Sequence, residues 1–181
     1  EIPTPFVCAC EKGRIDDVEL FVNLHPFHKY ITNRDVNGDW GGMTLKGMVN
    51  QVGKNGDGNS RTPLMAAAYR EEHFHIVQYL IEECEADPNI TRGYWYNSLH
   101  CAAKYNKKNA DVIQLLLNHM SIDSINMKDS WGKTPLDCAY EDNNSPIQQE
   151  IIDLIRLKGG KANCHDANGN EVEDDEGDLN D

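Results

Sequence analysis

The sequence predicts an all-α solenoid, a stack of helix pairs joined by projecting β-turn or hairpin fingers. Three observations predict it. A short block, Thr62-Pro63-Leu64-Met65-Ala66-Ala67-Ala68, returns in altered form as Asn97-Ser98-Leu99-His100-Cys101-Ala102-Ala103 and as Thr134-Pro135-Leu136-Asp137-Cys138-Ala139. The blocks start at residues 62, 97 and 134, and a near-fixed period of this size marks a stacked repeat array. Each block is followed by a second apolar stretch, as in Ile76, Val77, Leu80 and Ile81, whose spacing gives a helix one buried stripe.

The elements follow in order. Thr4-Pro5-Phe6-Val7-Cys8-Ala9-Cys10 is a fainter first copy of the block. In the blocks at 4, 62 and 134 Pro fits the first helical turn, where its missing N–H costs nothing, and the Thr before it can cap. Ala67, Ala68, Ala102 and Ala103 are small enough for inner helices to pack closely. The second helices are predicted around His73–Ile81, Val112–Leu117 and Ile151–Ile155. Asp87-Pro88-Asn89 stops one of them and opens a turn, and Gly159-Gly160 stops another. Asp129-Ser130-Trp131-Gly132-Lys133 leads into the last block as a finger.

This order resembles the ankyrin repeat, whose pattern runs D-x-x-G-x-T-P-L-H-x-A-A, then I-V-x-x-L-L, then G-A-D-x-N. The resemblance covers residues 62–163 closely and 4–22 more loosely, with extra residues between paired helices near Glu71, Lys108 and Asn144. It implies an array that binds proteins through its fingers and concave inner-helix face. It also implies structural hydrogen-bonding roles for His100, at the T-P-L-H position, and for Asn89, at the A-D-x-N turn.

Residues 23–61 break the period, since Thr4 and Thr62 lie well over one period apart. Seven of the fourteen glycines fall there, which points to turns. One reading is a long insertion between repeats. The favoured reading takes Asp39-Trp40-Gly41-Gly42-Met43-Thr44-Leu45 as a damaged finger. Leu45, Met48, Val49 and Val52 then form a short helix interrupted by Gly47, behind an elaborated loop from Pro26 to Gly38. At the other end, Asp166-Ala167-Asn168-Gly169-Asn170 reads as an aborted final finger that caps the stack. The expected domain is residues 1–165, with 166–181 an acidic, disordered tail.

Charge and cysteine usage narrow the function. The chain has 181 residues and a net charge of −13. From Asp166 to Asp181 there are eight acids and no base, which leaves about −5 elsewhere. Such a chain is not expected to bind nucleic acid or anionic membranes nonspecifically, and no stretch is apolar enough for membrane insertion. Cys8, Cys101 and Cys138 each stand four residues after a block start, so they read as small packing residues about 10 Å from their equivalents. Disulfides need about 7 Å or less, so free thiols and an intracellular, cytoplasmic setting are expected.

Chemical motifs are sparse. Asp35-Val36-Asn37-Gly38-Asp39 alternates oxygens like a calcium loop, but Trp40 and Lys46 stand where an EF-hand needs Gly and Glu. Asn55-Gly56-Asp57-Gly58-Asn59 fails in the same way, and tight-turn chemistry explains both. The seven histidines are scattered, and no nucleophile or phosphate-loop motif accompanies them. No enzyme activity, metal or cofactor is expected. The sequons at Asn89 and Asn143 read as chance matches.

The aromatics carry the functional expectation. Trp40, Tyr94, Trp95, Tyr96 and Trp131 fall in or beside predicted fingers, with Arg61 and Arg92 in the same turns. They either pack finger against finger or form a partner-binding strip, since aromatics and Arg dominate interface hot spots. Tyr69, Arg70, Lys104, Tyr105 and Glu141 are expected on the concave side. The expected function is a protein–protein interaction module, an adaptor or accessory subunit whose partner is another protein. The alternatives are a self-assembling solenoid or a regulatory fragment of a larger enzyme or channel.

Overall fold

The computed structural model describes residues 5–24, 45–54, 60–94, 96–141 and 147–164. In chain order the helices are α1 (Pro5–Glu11), α2 (Ile15–Leu24), α3 (Leu45–Val49), α4 (Pro63–Ala68), α5 (Phe74–Glu82), α6 (Ser98–Tyr105), α7 (Asp111–His119), α8 (Ile122–Ile125), α9 (Pro135–Tyr140) and α10 (Gln148–Leu157). A two-residue antiparallel ladder pairs β1 (Gly53–Lys54) with β2 (Ser60–Arg61). The fold is mostly helical, as the repeat pattern predicts.

The block chemistry acts locally as expected. Thr62 Oγ1 accepts the Met65 N–H at 3.2 Å, and Pro63 opens α4. Asn97 Oδ1 accepts the N–H groups of Leu99 and His100, both at 3.1 Å. Thr134 and Asp137 cap reciprocally: Oγ1 accepts the Asp137 N–H at 3.3 Å, and the Asp137 carboxylate accepts the Thr134 N–H at 2.8 Å. Each cap satisfies helix-start N–H groups that would otherwise lack partners.

The inner helices stack in the order α1, α4, α6, α9, and the outer helices α5, α7 and α10 back them. Ala66, Ala67, Ala102 and Ala139 are completely buried between inner helices, with Ala68 and Ala103 beside them. Ile76, Val77, Leu80, Ile113, Leu116, Ile151 and Ile155 supply the apolar face of the outer row. One continuous core therefore runs the length of the stack.

Hydrogen bonds tie each repeat to the next. Asn50 Oδ1 accepts the Asp87 N–H at 2.7 Å, Asn89 Oδ1 the Ser121 N–H at 2.9 Å, and Asn126 Oδ1 the Lys161 N–H at 2.7 Å. Three asparagines about one repeat apart thus make the same bridge. At the far end α10 stops on Gly159, whose φ of +85° favours glycine, and Gly160 donates to the Ile155 carbonyl at 2.9 Å.

This ladder bears on the reading of residues 45–52, whereas residues 39–44 fall outside the described residues. α1 packs directly on α4, so among the described residues no repeat stands between them. Helix α3 runs through Gly47 without a break and ends before Val52. It is followed by Asn50 as α8 is followed by Asn126, and each asparagine bridges forward. α3 is thus the lead-in to an enlarged finger, β1–β2, rather than the inner helix of a damaged repeat. Helix α8 was not foreseen, because four residues are too few to show a period. Helix α5 ends at Glu82, ahead of the Asp87-Pro88-Asn89 turn.

The loop expected at Pro26–Gly38, both calcium-like runs, Asn143 and the tail from Asp166 fall outside the described residues. All six cysteines are free; Cys101 and Cys138 are buried as expected, whereas Cys8 is only half-buried.

Two stability predictions follow from this packing. Ala102→Leu adds methylenes where two inner helices meet and should cost about 1–3 kcal/mol by overpacking. Chemical denaturation should show the midpoint fall with an unchanged slope. Asn89→Ala strips the bridge to Ser121 and should cost about 1 kcal/mol, since a net hydrogen bond contributes that order. The same assay should rank it below Ala102→Leu.

Candidate interaction groove

The fingers are shaped by local polar bonds. Asp129 Oδ1 accepts the N–H groups of Trp131 at 2.8 Å and Lys133 at 2.9 Å, and Gly132 takes a φ of +76°. The Arg92 N–H donates to the Tyr96 carbonyl at 2.9 Å, closing the preceding finger. The Ser130 N–H donates to the Tyr94 carbonyl at 2.9 Å, which locks the two fingers side by side.

That lock brings aromatics together. The Trp131 ring lies 5.0 Å from Tyr94 and 6.3 Å from Tyr96, the latter edge to face. Both readings of these residues thus have structural content: they pack finger against finger, yet Tyr94 stays 63% exposed and Trp131 59% exposed. Facing them, Tyr69, just past the end of α4, stacks on Tyr105 of α6 at 4.0 Å, and the Arg61 guanidinium lies 4.2 Å from the Tyr69 ring centre. Between fingers and inner helices runs a groove of about 470 Å³.

Nine residues singled out from the sequence line this groove: Arg61, Tyr69, Arg92, Tyr94, Tyr96, Lys104, Tyr105, Trp131 and Glu141. Trp40 and Trp95 fall outside the described residues. Arg70 does not line it. Helix α4 ends at Ala68, and Arg70 turns to an extended φ of −138°, so its side chain leaves the inner-helix row. The groove also includes Met65, Asp129 and Lys133, which sequence reasoning did not select. A signal for Lys133 existed. Arg61, Tyr96 and Lys133 each stand immediately before a block start, so one repeat position feeds the groove three times.

Charge is organised around Glu141. Lys133 Nζ hydrogen-bonds its carboxylate, and Lys104 Nζ lies 3.5 Å away. Partial burial would raise this carboxyl, but the Lys133 hydrogen bond and the Lys104 charge outweigh that and hold it below its usual range. Burial pushes the Cys101 thiol up to about 11 and Cys138 up to about 12. Both stay protonated at neutral pH and lack thiolate reactivity. Burial likewise lifts the Tyr69 and Tyr96 phenols above their normal range. The groove therefore presents aromatic faces, hydroxyl donors and cations. Among the described residues no group of three or more His, Cys, Asp or Glu side chains could hold a metal ion.

A family profile described as ankyrin repeats, in three copies, matches residues 64–166. The chain belongs to the ankyrin-repeat family. The matched region holds the helix pairs α4–α5, α6–α7 and α9–α10; α1 and α2 precede it. No curated protein sequence matches the chain. Ankyrin repeats are generally protein–protein interaction modules and typically non-enzymatic. Among the described residues no helix is long and apolar enough to cross a membrane.

The ankyrin His100 sits beneath the groove's aromatics, 5.0 Å from the Tyr96 ring. Its Nε2 donates to the Lys133 carbonyl at 3.2 Å. Its Nδ1 lies 2.8 Å from Asn97 Oδ1 and 3.3 Å from the Asn97 backbone nitrogen, so the ring is held at both nitrogens. Burial lowers the imidazole to about 4, with the Lys133 carbonyl and the Asp129 charge opposing in part. The unfolded chain protonates His100 near its ordinary 6.5, so between these values the unfolded state holds more protons. Stability should be full above about pH 6.5 and fall by roughly 3 kcal/mol as the pH drops toward 4. Denaturation midpoints from pH 7 to 4.5 should fall more steeply for the wild type than for His100→Gln.

Proposed function

We propose that this ankyrin chain is an adaptor or accessory subunit that captures another protein in the groove between its fingers and inner helices. The observation that carries the reading is convergence. Residues scattered over three repeats, from Arg61 to Trp131, line one groove and leave two large aromatic rings exposed there. Exposed aromatics beside Arg are the composition of interface hot spots. The groove is walled by a rigid helix stack, so little ordering cost attends its use.

Pull-down from native lysate read by mass spectrometry tests it. Trp131→Ala should preserve helicity and weaken capture of the recovered partner by about 1–4 kcal/mol. Its melting temperature should change little, because more than half of the ring is exposed. Lost stability with unchanged affinity would assign Trp131 to finger packing alone. Light scattering across a range of concentrations separates capture of a partner from self-assembly, since an adaptor stays monomeric.

A further inference from the structure

The groove is rich in donors and poor in free acceptors. Arg92, Lys104, Trp131 and Lys133 line it, and their side chains can only donate. Asp129 and Glu141 are its carboxylates, and both are engaged. Glu141 holds Lys133 on one oxygen and Lys104 on the other. Each lysine keeps further protons to give. Asp129 Oδ1 accepts two N–H groups, and its Oδ2 is buried away from solvent. The finger backbones are spent on one another: the Ser130 N–H donates to the Tyr94 carbonyl, and the Arg92 N–H to the Tyr96 carbonyl. A strand-forming ligand needs an edge that accepts its own N–H groups, and this pair of fingers does not offer one.

An occupant that suits such a groove brings carbonyl oxygens and few N–H groups. A proline-rich segment does so. Each Pro lacks an N–H, and the polyproline II helix leaves its carbonyls without internal partners. Its rings also need flat apolar faces. Trp131 and Tyr94 supply them on the finger wall, and Tyr105, held by its stack on Tyr69, supplies one on the facing wall.

The periods agree as well. A polyproline II helix returns to the same face every three residues, about 9 Å along its axis. Packed helices sit about 10 Å apart. One groove position recurs at that interval, since Arg61, Tyr96 and Lys133 each precede a block start. Every third residue of the ligand thus meets the equivalent position in the next repeat. A β-strand alternates faces every two residues and falls out of register.

Resting on the capture reading above, we propose that the captured segment is proline-rich and lies along the groove as a polyproline II helix. Its rings pack on Trp131, Tyr94 and Tyr105, and its carbonyls accept from the Trp131 indole, Lys104 and Lys133. Its backbone is formed before it binds, so little ordering opposes the contact.

The test titrates the full chain with a capped polyproline peptide of about nine residues, three turns of the helix. Amide signals of Tyr94, Tyr105 and Trp131 should shift in a saturable way. Trp131→Ala and Tyr105→Ala, one on each wall, should each weaken the peptide about 5–50-fold while far-ultraviolet dichroism shows them folded. The affinity should hold within about 2-fold between about 50 mM and 0.5 M salt, because the peptide is uncharged. Absence of shifts up to about 5 mM peptide overturns the proposal. Equal affinity for a glycine–serine peptide of the same length also overturns it, since that chain is flexible and carries an N–H on every residue. Tighter, salt-sensitive binding of a polyglutamate peptide overturns it too, and makes an acidic segment the occupant. Capture is read separately. A partner recovered by pull-down that Trp131→Ala weakens, but that polyproline does not displace, leaves capture standing and overturns the proline-rich occupant. If Trp131→Ala changes neither capture nor peptide binding, both readings fall.

Discussion

The arrangement rests on side-chain amides that satisfy the backbone of the neighbouring repeat. Asn50, Asn89 and Asn126 each accept one N–H from the unit that follows. A repeat with a short inner helix cannot bury its own apolar face, so stability comes from stacking. Stacking in turn brings irregular turns together, and their backbone groups need partners. An asparagine can satisfy both needs at once. Asn126 also donates from Nδ2 to the Gly159 carbonyl at 3.1 Å, so one amide serves a donor and an acceptor across the joint.

The groove is a consequence of that stacking. Alanines let α4, α6 and α9 approach closely, which sets their exposed faces into one row. Asp129 and Gly132 bend the last finger over that row, and the Ser130–Tyr94 bond registers it against its neighbour. Arg61, Tyr69 and Tyr105 then stack although each comes from a different element. His100 joins the two layers, since its ring hydrogen-bonds Asn97 at the helix start and donates to the Lys133 carbonyl in the next finger.

Much of the site was legible one residue at a time. Aromatics and arginines in finger positions pointed to Arg61, Arg92, Tyr94, Tyr96 and Trp131, and all five line the groove. Arg70 was misplaced because a one-residue difference in where α4 ends turns a side chain out of the row, and helix ends are set by caps and packing. Lys133 shares its position before a block start with Arg61 and Tyr96, a signal that selection by aromatic or arginine character alone does not use.

The sequence alone determined the period, the inner and outer helices, the caps and the burial of the alanines. These rest on contacts within a few residues, or on a pattern repeated often enough to read. The tertiary structure decided which unit neighbours which. The Asp39–Leu45 run looks like a damaged finger on paper, because a short motif carries no record of where it packs. Only the direct contact of α1 with α4, and the match of Asn50 with Asn126, show that α3 leads into the second unit's finger. Pairings between residues some thirty-five apart in the chain depend on the closure of the whole stack, and no local spacing encodes that.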